Sequence, residues 1–260
     1  MVKNSPLFLL FSGLLLVGLF LSGVYCGALP ELGYELKAAA RSGDASAQLE
    51  LARAYYEGVF GMPDMARAAH WLQQAADQGN TDAEHILGRF YVNGVGVEQD
   101  AAAGIALLRK AADKGQPQAQ AYLAQVFGQG MGVPRDPTQF LYWTRLAAAN
   151  GDAQSQYNLA VLHLTGTLVP VDPATAHDWL VLSAEQGYTQ AQIALGEYLV
   201  QGIDRDPDVV EACKWFAIAA TRGHPKGREY LSQIVEHMTV AQMDEAAALA
   251  EAWLAARGLR

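Results

Sequence analysis

The sequence predicts an all-α solenoid built from tandem helix-turn-helix repeats of about 36 residues. The first observation is a glycine that returns every 36 residues, at Gly43, Gly79, Gly115, Gly151, Gly187 and Gly223. The second is a row of apolar residues four positions apart after these glycines, and the third is an aspartate at a constant distance beyond that row. A period of about 20–50 residues indicates units that stack on their neighbours along the chain.

The first helix of each unit, helix A, follows the repeated glycine. In the first unit Ala47, Leu51 and Tyr55 have the spacing i, i+4, i+8, which places them on one helix face. The residue after the leucine is always small, and this lets a second helix approach closely: Ala52, Gly88, Ala124, Ala160 and Gly196. We expect helix A to end at the next glycine of each unit, at Gly58, Gly94, Gly130, Gly166 or Gly202.

The second helix, helix B, begins after an aspartate that recurs at Asp64, Asp100, Asp136, Asp172 and Asp208. Aspartate is a favoured N-cap, and the prolines Pro137 and Pro173 that follow two of these aspartates suit the first helical position. A tryptophan or leucine occupies one position of each helix B, at Trp71, Leu107, Trp143, Trp179 and Trp215. We expect this column to be the main packing contact between helices. Each helix B ends at the repeated glycine.

Both ends of the array depart from the repeat. Leu36–Gly43 reads as a lone helix B, and Gly227–Val235 reads as a sixth helix A. Thr239 and Gln242 then form a predicted capping box. The last helix has an apolar stripe at Met243, Ala247, Ala250 and Leu254, beside Trp253, and is predicted to cap the solenoid. The predicted divisions are 1–28, 29–43, 44–223 and 224–260, with residues 29–260 forming one domain.

The N-terminal segment has the layout of an export signal. Lys3 precedes an uncharged apolar run, 7–28, and small residues close it. Cleavage after Ala28 is one interpretation, an uncleaved membrane anchor is the second, and lipid modification at Cys26 is the third. All three place the repeats outside the cytoplasm, in the periplasm or anchored to the inner membrane and facing the periplasm.

Composition argues against several classes of function. The net charge is −9 without a basic stripe, which argues against nucleic acid as a partner. Two cysteines exclude a disulfide framework. The six histidines lack metal-ligand spacing, and no serine lies in a nucleophile elbow. We therefore predict no catalytic residues, no metal and no cofactor.

The repeat resembles the Sel-one-like repeat, a variety of the tetratricopeptide family. The family pattern Ala-x-x-x-Leu-Gly-x-x-Tyr-x-x-Gly-x-Gly-Val followed by Asp is matched most closely in the second repeat, at Ala83, Leu87, Gly88, Tyr91, Gly94, Gly96, Val97 and Asp100. Leu107 stands where the family has Trp, and Asp204 where it has the second loop glycine. The resemblance covers residues 36–235. It implies a right-handed superhelix whose helices A line a concave side.

The resemblance implies an adaptor or scaffold. A cysteine-rich bacterial branch of the family is associated with β-lactam binding or hydrolysis, but its repeats each hold a cysteine pair, whereas these repeats hold only Cys213. We expect a non-enzymatic interaction scaffold of the bacterial envelope that binds a protein or peptide segment in its concave groove. The alternative is a cell-wall or β-lactam-directed hydrolase or a glycan-binding protein. An inner-membrane tether would run through residues 7–28.

A partner would lie on the side of helix A opposite its apolar row. That stripe is polar, and its amides offer both donors and acceptors to a peptide backbone. Arg53 and Arg89 could clamp a carboxylate, and a merely solvated polar face is the alternative. The predicted partner-binding residues are Glu50, Arg53, Arg89, Tyr122, Gln125, Asn158 and Glu197.

A second polar column lies nearer the packed side, at Gln48, Glu84, Gln120, Gln156 and Gln192. We predict that these side chains bond between stacked repeats; ligand contact is the alternative.

Overall fold

The computed structural model describes residues 29–259, and this part of the chain consists of thirteen α-helices and one short 3-10 helix, without strands. Within each of the two compact units of the chain, most consecutive helices pack against each other and are joined by short loops. The predicted all-α array of helix pairs is therefore confirmed.

The chain divides into two compact units, one up to Gln99 and one from Asp100. The first unit contains α1 (Leu29–Arg41), α2 (Ala45–Glu57), α3 (Met65–Asp77) and α4 (Thr81–Asn93). The second unit contains α5 (Ala101–Asp113), α6 (Pro117–Gln129), α7 (Pro137–Ala149), α8 (Ala153–Thr165), α9 (Pro173–Glu185), α10 (Thr189–Gln201), α11 (Val209–Thr221), α12 (Pro225–Ile234), the 3-10 helix η1 (Val235–His237) and α13 (Val240–Ala255). The domain boundaries proposed from sequence stay predictions.

The predicted helix ends are confirmed. Helices A, which are α2, α4, α6, α8 and α10, all stop at a glycine with positive φ, as at Gly58 (74°) and Gly94 (69°). Glycine populates this left-handed conformation cheaply because it has no Cβ. Helices B begin at the predicted aspartates, whose side chains accept bonds from backbone N–H groups of the first turn, for example Asp64 from the N–H of Arg67.

The buried column of helix B differs from the prediction. Trp143 and Trp215 are buried, but Trp71 and Trp179 are only half-buried. The position that is buried throughout comes one residue later, at Leu72, Leu108, Thr144, Leu180 and Phe216. A helix turns about 100° per residue, so both positions can share the packed side. Trp143 and Trp215 pack in the core together with the residue that follows each of them, whereas the side chains of Trp71, Leu107 and Trp179 are only half-buried. The predicted column is therefore fully buried at two of its five positions.

The column of glutamines forms a hydrogen-bonded ladder between helices. The amides of Gln48, Gln120, Gln156 and Gln192 are buried, and each donates to a carbonyl eight residues earlier, at the end of the preceding helix B. Three of these side chains also accept a bond from a side chain 30 residues later: Gln48 from Gln78, Gln120 from Asn150 and Gln156 from Gln186. The interpretation of this column as a structural link is confirmed for the four glutamines, whose bonds fix how their helices A are turned; Glu84, the fifth member of the column, is also buried.

The ladder ends at Gln192. Its Oε1 is buried without a hydrogen-bond partner. Arg222 stands 30 residues later, where three of the four earlier units have an amide, and its guanidinium donates to the carbonyl of Gly187 instead.

The C-terminal helix α13 caps the second unit as predicted, but the side of α13 that is buried differs from the predicted one. The capping box of Thr239 and Gln242 is present. The buried residues of α13 are Ala246, Ala250, Trp253 and Leu254, so Ala246 faces the core, and the prediction of Ala247, which is exposed, is wrong. The indole N–H of Trp253 donates to Glu185 Oε2 at 2.8 Å, and Arg257 lies 4.0 Å from the Trp253 ring centroid. The cap is thus tied to the end of α9.

The predicted signal or anchor, residues 1–28, lies outside the described residues. From Leu29 to Leu259, none of the helices combines the length and apolar character needed to cross a bilayer.

Candidate partner-binding groove

The predicted polar stripe lies on the accessible side of each helix A. On α2, Ser46, Arg53 and Glu57 are exposed and Glu50 is half-buried. The apolar row and the ladder glutamine hold the opposite side against the neighbouring helices. The local periodicity of helix A therefore decides which side chains a partner can reach.

In the first unit, α2, α3 and α4 line a groove of about 280 Å³. Its buried lining consists of Ala52, Ala68, Leu72 and Phe90. The exposed residues Arg53, Tyr56, Arg89 and Asn93 form the rim. The Tyr56 and Phe90 rings lie 5.9 Å apart and make one wall aromatic. The groove offers an apolar floor to one side chain and polar groups around it.

The groove is cationic in an acidic protein. Its ten lining residues include two arginines and no carboxylate. Arg53 Nη1 donates to Glu50 Oε1 at 3.0 Å, and Arg53 Nη2 lies 4.0 Å from Asp82 Oδ2. Arg53 is exposed and Glu50 is half-buried, and a partly exposed pair within one helix contributes less than about 1 kcal/mol, so a better placed carboxylate can compete with Glu50 for Arg53. Arg53 can therefore turn to a partner at low cost.

Burial shifts the titration of two neighbouring groups. Burial raises the pKa of Glu50, while Arg53 opposes the shift and Glu57 and Asp82 add to it. Burial, together with the charge of Arg89, lowers the pKa of His85 to about 4. His85 is therefore neutral near pH 7, and the positive charge at the rim comes from the arginines.

The second unit holds the other four predicted residues on three different helices. Tyr122 and Gln125 lie on α6, Asn158 on α8 and Glu197 on α10; Gln125 is exposed and the other three are half-buried. Glu197 accepts a hydrogen bond from Tyr230, which raises the pKa of the Tyr230 hydroxyl. The structure thus brings Arg53 and Arg89 into one groove, with Glu50 beside Arg53. For these four residues of the second unit, partner binding stays a prediction.

Tyr56, Phe90 and Leu72 belong to the groove and were not among the predicted residues. Tyr55 and Tyr56 are adjacent aromatic residues, and only Tyr55 fits the four-residue apolar spacing. The second aromatic residue, Tyr56, which lies outside the apolar spacing, is the signal that could have found this wall.

Comparison with known proteins identifies the repeats. The Sel1 repeat model matches residues 45–80, 81–116, 117–152, 153–188 and 189–224. A Sel1 repeat protein from Oxalobacter formigenes is similar in structure, with 30% identity and a TM-score of 0.74, over 78% of this chain and 58% of that one. The protective antigen c5321 of uropathogenic Escherichia coli strains, which displays an SLR fold, is similar at 27% identity and a TM-score of 0.55 over 85% of this chain and 56% of that one.

The chain thus spans less than two thirds of the length of either structure. No curated protein matches it. Sel1 repeat proteins are generally non-enzymatic scaffolds for protein–protein interaction. The five matched repeats cover well over half of the sequence, and the chain belongs to the Sel1 repeat family.

Proposed function

We propose that this protein is a non-enzymatic scaffold and that the groove of its first unit binds a partner segment with an apolar side chain next to a carboxylate. The observation that carries this proposal is the pair of arginines, Arg53 and Arg89, above the apolar floor. The family supports a protein partner in general, and the lining of the groove supports its chemistry.

The two parts of the groove recognise different parts of the segment. Burying one apolar side chain on the floor contributes about 1.5–3 kcal/mol. A guanidinium–carboxylate pair is shorter and stronger than a neutral hydrogen bond and adds geometric selection. The ring of Tyr56, which is 50% exposed, provides a further flat surface beside the floor. Neither part alone suffices for a specific complex, so both features should recur in the partner.

The scaffold is proposed to act outside the cytoplasm. The apolar run 7–28 after Lys3 supports export, with the repeats in the periplasm or tethered to the inner membrane and facing the periplasm.

A peptide selection tests the groove directly. Peptides displayed on phage are enriched on the purified protein, and the affinity of the enriched peptides is then measured by fluorescence polarisation. We expect an apolar residue beside Asp or Glu in the enriched sequences. The double variant Arg53→Glu/Arg89→Glu should bind them at least about tenfold more weakly, because about 1.4 kcal/mol corresponds to a factor of ten in affinity.

Arg145→Glu is the matched control, since it reverses an exposed arginine on α7 of the other unit. This control should retain the affinity of the wild type. Enriched peptides that bind the double variant as tightly as the wild type would remove the groove from the proposal.

A further inference from the structure

The loop between α2 and α3 exposes apolar side chains. Met62 is 89% exposed, and Val59 and Phe60 are each 37% exposed. No charged residue lies between Gly58 and Pro63. A contiguous group of exposed apolar residues on a protein surface indicates a site of interaction with another protein or with a membrane.

The later repeats have no long apolar side chain at the position of Met62. The loops of the later repeats have Gly96, Gly132, Leu168 and Asp204 in place of Phe60. They have Glu98, Pro134, Pro170 and Asp206 in place of Met62. The position of Met62 is thus acidic or proline in every later repeat, whereas the position of Phe60 is apolar again in the fourth repeat, at Leu168.

The loop is held against α1. A Cβ at Gly33 would lie 3.0 Å from the Phe60 ring, so the ring packs closely on the helix backbone. Lys37, one turn further along α1, places its Nζ 4.1 Å from the Phe60 ring centroid. Tyr55 meets Phe60 edge to face at 5.5 Å, so the ring is fixed from a second side.

Lys37 and the loop residues Val59, Phe60 and Met62 form one surface, which we call the α1–loop patch. The patch combines apolar side chains with one ammonium group. The helix α1 also carries Tyr34, which is 74% exposed. Aromatic and basic residues of this kind are enriched where proteins meet the headgroups of a bilayer.

The position of the patch in the chain points to a membrane. The helix α1 begins at Leu29, directly after the apolar run 7–28. At about 1.5 Å per residue, Gly33 lies only about 6 Å along the helix from that start. A tether through residues 7–28 would hold the patch at the level of the headgroups.

We propose that the α1–loop patch inserts Val59, Phe60 and Met62 into the boundary between headgroups and acyl chains, with Lys37 at the anionic headgroups. This inference rests on the membrane tether in the proposed function and deepens it. It orients the first unit on the bilayer, whereas a tether alone would leave its orientation free.

Site-specific fluorescence tests the contact in the full chain. Cys26→Ser and Cys213→Ala remove the native thiols, and Met62→Cys then carries an environment-sensitive nitrobenzoxadiazole label. The protein is reconstituted into phosphatidylethanolamine–phosphatidylglycerol vesicles with or without a nitroxide-labelled lipid. The matched control is Val171→Cys, because Val171 is a 62% exposed apolar residue in the corresponding loop after α8.

We expect the emission at position 62 to shift to the blue, and nitroxide lipid to quench it at least about threefold more than at position 171, since insertion reaches about 5–10 Å into the boundary. Phe60→Asp should bring the quenching at position 62 down to that of the control. A label on Val59→Cys should behave like the label at position 62 and guards against a local effect of the Met62 change.

Equal quenching at positions 62 and 171 in a chain that floats with the vesicles would overturn the patch and leave the tether. A chain that does not float with vesicles would overturn both. A blue shift without quenching by lipid would indicate a protein contact and would also overturn the proposal. None of these outcomes touches the peptide assay on Arg53 and Arg89, which needs no lipid.

Discussion

Leu168 stands at a loop position where two other repeats have glycine. Its φ is 63°, close to the φ of Gly96 (68°) and Gly132 (71°). A left-handed conformation costs a residue with a Cβ about 1–2 kcal/mol, because the Cβ crowds the following carbonyl oxygen. At 47% exposure, Leu168 regains only part of that cost from burial.

Leu168→Gly should therefore cost about 1–2 kcal/mol less stability than a Leu→Gly change at a similarly exposed helical position, because the relief of strain offsets the chain entropy of glycine and the lost partial burial. Urea unfolding with the midpoint as readout measures it. Leu182→Gly is the control, because Leu182 is similarly exposed inside the helix α9 and should lose about 1 kcal/mol. Equal losses in both variants would show that Leu168 is not strained.

His85 should make the stability of the protein depend on pH. Its pKa is about 4 in the folded chain, against 6.5 for an ordinary histidine, so the unfolded chain binds the proton more readily. The stability that depends on a neutral His85 is fully present above pH 6.5 and is lost as the pH falls toward 4.

We expect wild-type stability to fall more between pH 6.5 and pH 4 than that of His85→Gln, with a difference of about 1–3 kcal/mol. Urea unfolding at several pH values measures this difference. His237→Gln, at an exposed histidine, should keep the wild-type slope. Parallel curves for wild type and His85→Gln would contradict the assignment.

At the scale of the helix, the glutamine ladder decides how strongly neighbouring helices are tied. Gln156 donates to the Ala148 carbonyl and accepts from Gln186, while Gln192 has only the donated bond to Ala184. A buried polar group that loses its hydrogen-bond partner lowers the free energy of unfolding by about 1–3 kcal/mol.

Gln156→Leu should therefore reduce the free energy of unfolding by about 1 kcal/mol more than Gln192→Leu does. Both substitutions replace a buried amide by a side chain of similar size, so the comparison removes most of the packing term. Chemical denaturation of the two variants is the measurement. A larger loss in Gln192→Leu would mean that the bond to Gln186 contributes nothing.

The local signals predicted the helices well, because each helix end depends on a few adjacent residues. Asp64 caps α3 and Gly58 ends α2 through contacts within a handful of positions, and both are visible in the sequence. The exact packed face was harder to predict. Trp71 and Leu72, or Ala246 and Ala247, are neighbours on one side of a helix, and only the approach of another helix decides which is buried.

The groove could be predicted only in part, for the same reason. Arg53 and Arg89 could be predicted because each occupies the same position on the polar face of its own helix A. Tyr56, Leu72 and Phe90 join them because α2, α3 and α4 pack side by side, and this packing brings residues from three helices together. The resemblance to the family predicts the handedness of the array, and no single sequence pattern does.

At the scale of the whole chain, the terminal units of a repeat protein have a neighbouring unit on one side only and are therefore the least stabilised. In the second unit, α13 covers the last helices through Trp253, whose ring lies 5.9 Å from that of Trp215. Removing a buried indole costs about 3–5 kcal/mol. Because solenoid units contact mainly their neighbours, this loss should stay near the end of the array.

In Trp253→Ala, hydrogen exchange should therefore speed up in α11, α12 and α13 and stay unchanged in α7 and α8. Hydrogen-exchange mass spectrometry resolves these peptides. Arg257→Ala is the milder control, because it removes the exposed pair with Glu185 and leaves the indole in place. Faster exchange spread evenly from α7 to α13 would show that the second unit opens as a single cooperative block.

The constant sequence spacings of the glutamine ladder have a consequence for how repeats can be added to the chain. Each ladder glutamine meets a carbonyl eight residues before it, and most also meet a side chain 30 residues after it. A repeat such as 45–80 contains the glutamine and the side chain 30 residues after it, and the unit before it supplies the carbonyl, so an added repeat can extend the same bonding pattern. Glu84 and Lys114 replace the pair of amides in the second repeat and Arg222 replaces its second member in the fifth, so an array of this kind tolerates a unit without the pair both inside it and at its end.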